Sequence, residues 1–147
     1  MVGFRRLPSP LRRWLVHAGT PSYTVGAVVL LRREDGKVLL VDQRHSPGWA
    51  LPGGLLRRGE RPAEAVVREV AEEVGVSLEP ERLPVPVAAV NPVARRVDLV
   101  YLVAAAPDVA PQREDEAEVR RIGWFAIDDL PEVSEPTRDI LRVAVRT

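Results

Sequence analysis

The sequence contains no cysteine. Disulfides, thiol nucleophiles and cysteine-held metals are therefore excluded, while the redox compartment stays open. Histidine is nearly as scarce, and His17 and His45 are too few for a histidine-built zinc site. Formal net charge is zero and the sequence pI is about 6.8, so no overall field draws the chain to a nucleic-acid polymer or a membrane. No apolar run approaches the ~18 residues of a spanning helix. Arg12 and Arg13 also interrupt any apolar signal core near the N-terminus, where Arg5 and Arg6 lie. A cytoplasmic protein is the expectation.

What is present suffices for one domain with a substantial core, at 147 residues and 16.3 kDa. Residues 1–21 read as an N-terminal extension and residues 22–147 as the domain proper, with no internal repeat and no linker to a second domain. In the extension, Ser9-Pro10 starts a short helix that Gly19 ends. Leu11, Trp14, Leu15 and Ala18 form its apolar stripe, which predicts packing on the domain or on a second subunit, so a homodimer is one expected assembly. The alternative, a basic amphipathic contact with a membrane, suits so short a helix poorly.

Tyr23 to Arg33 is rich in β-formers, and Glu34-Asp35-Gly36 predicts a hairpin turn before Lys37 to Gln43 returns antiparallel. A loop then leads to a short strand at Trp49. Val85 to Val90 and Val97 to Ala104 read as two further strands, and Glu118 to Ala126 as the last. Ser134-Glu135-Pro136 has the capping chemistry for a final helix to about Val145. Mixed strands with one helix in mid-chain and another at the end predict an α/β/α sandwich built on a mixed sheet.

The chain is organised around Gly53 to Val76. Paired glycines at Gly53-Gly54 predict a tight loop in which a ligand can approach the main chain. Arg61-Pro62 opens a helix and Gly75 closes it. At ~100° per residue Glu69, Glu72 and Glu73 share one face, with Val67, Val70, Ala71 and Val74 turned away from it. Like charges at these spacings cost a helix a few tenths of a kcal/mol per pair. A solvated acidic face is the bland reading of three glutamates alone; clustered carboxylates are also what a hard divalent cation prefers.

The spacing adds more. Gly54, five residues, Glu60, seven residues, then Arg68-Glu69-Val70, Ala71, Glu72-Glu73, Val74 and Gly75-Val76 resembles the full Nudix box, and Trp49 to Gly53 is similar to the segment that usually precedes it. Glu118 to Phe125 followed by Ile127 to Pro131 resembles the family's C-terminal segment. The resemblance implies the same sandwich fold and a Mg²⁺- or Mn²⁺-dependent hydrolase. Such an enzyme cleaves the diphosphate linkage of a nucleoside diphosphate joined to another group. It further implies that Glu69, Glu72, Glu73 and the Gly53 carbonyl hold the metal. Glu60 and Arg68 brace loop against helix, with Gly54 and Gly75 structural, and Arg68 counts among the catalytic set.

Family members differ in their general base. Glu118 sits where some place an extra ligand or base, with Glu114 and Glu116 as neighbours and a solvated loop charge as the alternative for each. Arg57 falls where many members carry an acid. Arg44, Arg57 and Arg96 are candidates to grip phosphate, against the reading of ordinary solvated arginines. Trp49 and Tyr101 offer stacking surfaces but lie in strand patterns, which favours packing. Which group is joined to the nucleotide stays open among nucleotide sugars, ADP-ribose, dinucleoside polyphosphates and oxidised nucleoside triphosphates. Pro92 gives slight support to the ADP-ribose type. A Nudix-like nucleotide sensor or protein-binding module without catalysis is the competing class.

Overall fold

The computed structural model describes residues 7–146, so Arg5 and Arg6 of the extension lie outside the described residues. The chain runs α1 (Ser9–Gly19), β1 (Thr24–Arg32), β2 (Val38–Gln43), β3 (Trp49–Ala50), β4 (Gly53–Leu55), α2 (Pro62–Val74), a 3-10 turn at Pro80–Arg82, β5 (Val87–Asn91), β6 (Arg96–Ala104), β7 (Val119–Phe125) and α3 (Glu135–Ala144).

The strands form one mixed sheet. β1 lies parallel to β6 along its whole length, from Thr24 beside Arg96 to Arg32 beside Ala104, and β5 is antiparallel on the outer edge of β6. β2 pairs antiparallel with β7 and β3. The Asp-Gly hairpin forms as predicted, with Gly36 N donating to Arg33 O at 2.9 Å. Beyond the turn, β1 and β2 share a single register pair, Arg32 with Val38. They then diverge, and β4 takes the vacated edge of β1, placing Val28 opposite Gly53. The sheet is thus forked at the end away from the turn.

Side chains alternate between two cores, as strand geometry requires. Ala27, Val29, Leu31, Leu39 and Val41 pack with Val66, Val70 and Val74 of α2. Val28, Leu30, Val38 and Leu40 pack with Ile140, Leu141 and Ala144 of α3. One helix on each face of a mixed sheet is the predicted α/β/α sandwich.

Three local expectations need correction. The glycine pair is not a loop but the start of β4, because the open edge of β1 captures it. On α2 the buried row is Ala65, Val66, Val70, Glu73 and Val74, whereas Ala71 is exposed and Val67 only half-buried. Periodicity fixed the angles between side chains but not which row meets the sheet. Finally, of the two surfaces expected to cover the α1 stripe, the domain or a second subunit, the domain does not bury it. None of its residues is buried, and Trp14 is 64% exposed.

Candidate active site

Helix α2 starts where Arg61 takes an extended conformation and Glu64 reaches back to the Arg61 amide at 3.0 Å. It ends at Gly75, whose φ of 66° is the left-handed cap that glycine adopts without strain. The loop before β7 covers this end. Gln112 N donates to Val74 O at 2.9 Å and Glu114 N to Glu73 O at 3.2 Å, satisfying carbonyls that a helix terminus leaves open.

Glu73 enters the fork of the sheet. It is only 3% exposed and accepts from Gln43 Nε2 of β2 at 3.3 Å and from Gly53 N of β4 at 3.4 Å. Burial, and then the charge of Glu69, push its carboxyl up to about 8; the two hydrogen bonds pull the other way, and Glu118 adds a smaller upward push. Glu69 lies one turn earlier, against Gly54. A Cβ at Gly54 would stand 2.7 Å from the Glu69 carboxyl, so this glycine is needed for close approach. At Gly53, φ is 143° and a Cβ would collide with the Ala27 carbonyl and Val28.

Arg68 ties these groups together. Its Nε and Nη2 grip both oxygens of Glu60 at 2.7 and 2.9 Å, and Nη2 also donates to Leu55 O at 3.3 Å. Its Nη1 bridges Glu69 at 2.7 Å and Glu72 at 3.4 Å. The fork-shaped pairing is the strong form of an arginine–carboxylate contact. Beside Arg68, and with a further bond from the Arg57 amide, Glu60 falls to about 2. The expected bracing contact between Glu60 and Arg68 is therefore present.

The remaining candidates separate. Glu72 is exposed and faces Arg57 at 3.7 Å, so Arg57 stands at the rim of the cluster. Glu118 is exposed at the start of β7, with its carbonyl held by the Arg44 amide at 2.8 Å. Arg44 itself donates through Nε to Glu116 O at 2.8 Å, bracing the loop. Glu116 pairs with Arg113, and Glu114 lies alongside Gly75. Arg96 does not join the glutamates. It opens β6 and makes a two-bond pair with Asp98, each bond 2.8 Å, on the α3 face of the sheet. Tyr101 is buried in the core, and Trp49 meets Phe125 edge-on at 4.8 Å, so both serve packing.

Among the described residues, no three carboxylates or imidazoles converge closely enough to hold one metal ion. Arg68 Nη1 instead supplies positive charge between Glu69 and Glu72, while Glu73 is a buried acid disfavoured by its like-charged neighbour. Three hard oxygen donors with a cationic group already between two of them fit a divalent ion in chemistry. Sequence reading missed Gln43, Gly26 and Asp98. Gln43 follows Asp42 at the polar end of a strand that opens with four apolar residues, which is its one visible signal.

A family model for the NUDIX domain matches residues 22–144. The chain belongs to the Nudix family. A MutT-like protein of Streptomyces ambofaciens is 38% identical to it over 63 residues, 43% of this chain and 41% of that protein. Human diphosphoinositol polyphosphate phosphohydrolase 3-alpha is 32% identical over 102 residues, covering 69% of this chain and 61% of that enzyme. The crystal structure of a MutT NUDIX hydrolase from Burkholderia pseudomallei superposes with a TM-score of 0.70 at 31% identity, over 84% of this Nudix chain and 98% of the other. The chain spans less than half the length of the first curated relatives it matches.

Proposed function

We propose that this Nudix chain is a divalent-metal-dependent pyrophosphohydrolase that cleaves the diphosphate linkage of a nucleotide joined to another group. The observation that carries the reading is the fork. Glu73 is buried between the Gly53 amide of β4 and the Gln43 side chain of β2, beside a Glu69 for which Gly54 leaves room. A purely structural helix gains nothing from placing Glu73 there, because burial works against its ionised form.

In this reading Glu69, Glu72 and Glu73, with the Gly53 carbonyl, would hold Mg²⁺ or Mn²⁺ once the ion draws their separated carboxylates together. When bound, the ion neutralises the phosphate oxygens and makes a water nucleophilic. Gln43 and the Gly53 amide orient the Glu73 carboxylate. Arg68 holds Glu69 and Glu72 in register and ties the helix to the glycine segment through Glu60 and Leu55. Arg57, exposed at the rim, is the cation placed to meet a phosphate oxygen. Glu118 is the loop acid whose charge reaches Glu73, which favours it over Glu114 and Glu116 as proton acceptor or extra ligand.

The test is to incubate the pure chain with Mg²⁺ or Mn²⁺ and a panel of nucleotide sugars, ADP-ribose, dinucleoside polyphosphates and oxidised nucleoside triphosphates, and to identify the products. Metal-dependent release of a nucleoside monophosphate or of pyrophosphate is the expected result. Tight nucleotide binding with no product at any metal concentration would support the sensor reading instead.

A further inference from the structure

The strap of residues 112–118, which leads into β7, lies where charge alone does not favour it. Four of its seven residues are acids, Glu114, Asp115, Glu116 and Glu118. It crosses the C-terminal end of α2, which has no base in its last turn. The partial negative charge of a helix C-terminus attracts cations and repels acids. Directed hydrogen bonds must therefore hold the strap in place.

Those bonds come from three sides. Gln112 N and Glu114 N donate to the last carbonyls of α2, at Val74 and Glu73. Within the strap, Asp115 Oδ1 accepts from the Ala117 and Glu118 amides at 2.9 and 3.2 Å, which fixes the turn on which Glu118 stands. Arg113 ties the strap to β7, with Nη1 on the Arg120 carbonyl at 2.9 Å and Nη2 on the Glu116 carboxylate at 3.0 Å. From the end of β2, Arg44 holds the two carbonyls that flank Ala117: its Nε donates to Glu116 O and its own amide to Glu118 O, each at 2.8 Å.

Together they close a ring around Glu73. The Glu73 carboxylate accepts from Gln43, and the Glu73 carbonyl accepts from the Glu114 amide of the strap. Arg44 follows Gln43 directly and joins that strand to the same strap. Its side chain grips main chain, so what it fixes is the path of the backbone that carries Glu118, whose charge is felt at Glu73.

We propose that Arg44 is a positioning residue that acts through Glu118, fastening the strap to the end of β2 so that the Glu118 carboxyl is held beside the glutamate cluster. The role rests on the hydrolase reading above, and it replaces phosphate binding as the task of this arginine.

The first test is amide hydrogen exchange on the full chain without metal or substrate. In Arg44→Ala the Glu114 and Glu118 amides should exchange about tenfold faster than in wild type, while the Val70 amide of α2 keeps its rate. Unchanged exchange in the strap would overturn the proposal, and so would faster exchange that extends to Val70, which marks a purely structural role. The second test is steady-state kinetics with Mg²⁺ and the diphosphate of the panel that is turned over fastest. Arg44→Ala should lower kcat about tenfold and keep KM within about twofold. Glu118→Gln should lower kcat at least as far, and adding Arg44→Ala to it should cost no more than about twofold further, since residues that act through one another are not additive. A raised KM at constant kcat, full additivity, or an inert Glu118→Gln would each overturn the proposal. A wild-type chain inactive on every diphosphate would instead defeat the hydrolase reading, leaving the exchange rates to judge whether Arg44 fastens the strap.

Discussion

Two arginine–carboxylate forks sit on opposite faces of the same sheet, each made possible by a glycine, and they do different things. On the α2 side, Arg68 grips Glu60 and still has Glu69 and Glu72 to hold, with Glu73 buried nearby. One cation serves several acids, with Arg57 at the rim, 3.7 Å from Glu72, as the second. On the α3 side, Arg96 and Asp98 match one to one and no acid is left for the arginine to serve. The comparison teaches that the same arginine–carboxylate fork can be outnumbered by acids on one face of a sheet and matched one to one on the other.

The sharpest way to break the comparison is to remove surplus acid. Glu73→Gln and Glu72→Gln should each lower turnover about a hundredfold or more while far-UV circular dichroism stays unchanged. Unchanged turnover in both variants would remove the α2 side from the chemistry. Next in size, Arg68→Ala strands several acids and should cost roughly 3 kcal/mol in urea denaturation, with Arg68→Lys recovering only part because a lysine cannot form the fork.

The glycines separate the two faces. Gly54→Ala displaces the Glu69 carboxyl and should lower kcat, whereas Gly26→Ala breaks the buried Arg96–Asp98 pair and should act mainly on stability in urea denaturation. Steady-state kinetics and urea denaturation on both variants would show whether the effects exchange.

The smallest effects concern pH. An acid raised to about 8 in the fold keeps a proton that the unfolded chain gives up above its ordinary 4.5, so Glu73 makes the metal-free protein less stable as pH rises from about 4.5 to about 8. Glu60 acts oppositely. Lowered to about 2, it contributes stability above 4.5 that is lost as pH falls towards 2. Thermal melts of Glu73→Gln against wild type should abolish the first slope and keep the second.

Much of the α2 side was legible in the sequence. The start and stop of the helix follow from Pro62 and Gly75, and the pairing of Glu60 with Arg68 follows from the motif. The burial of Glu73 did not, because it depends on β1 and β2 parting after one register pair and on Gln43 and Gly53 meeting in the gap. The pairing of Arg96 was hidden for a similar reason. Its partner lies two residues away on the same strand face, but that face becomes known only once β1 and β6 pair in parallel. The exposed stripe of α1 shows the converse, an amphipathic pattern none of whose residues the domain buries.

The early parting of β1 and β2 also insulates the chemistry from the hairpin that joins them. Glu34 to Gly36 turn at the opposite end of β1 from Gly26, and between them the buried side chains of two cores fix the strands. A reporter peptide spliced into that bend would tug on the closed end of the fork and leave the open tines, where the acids sit, undisturbed.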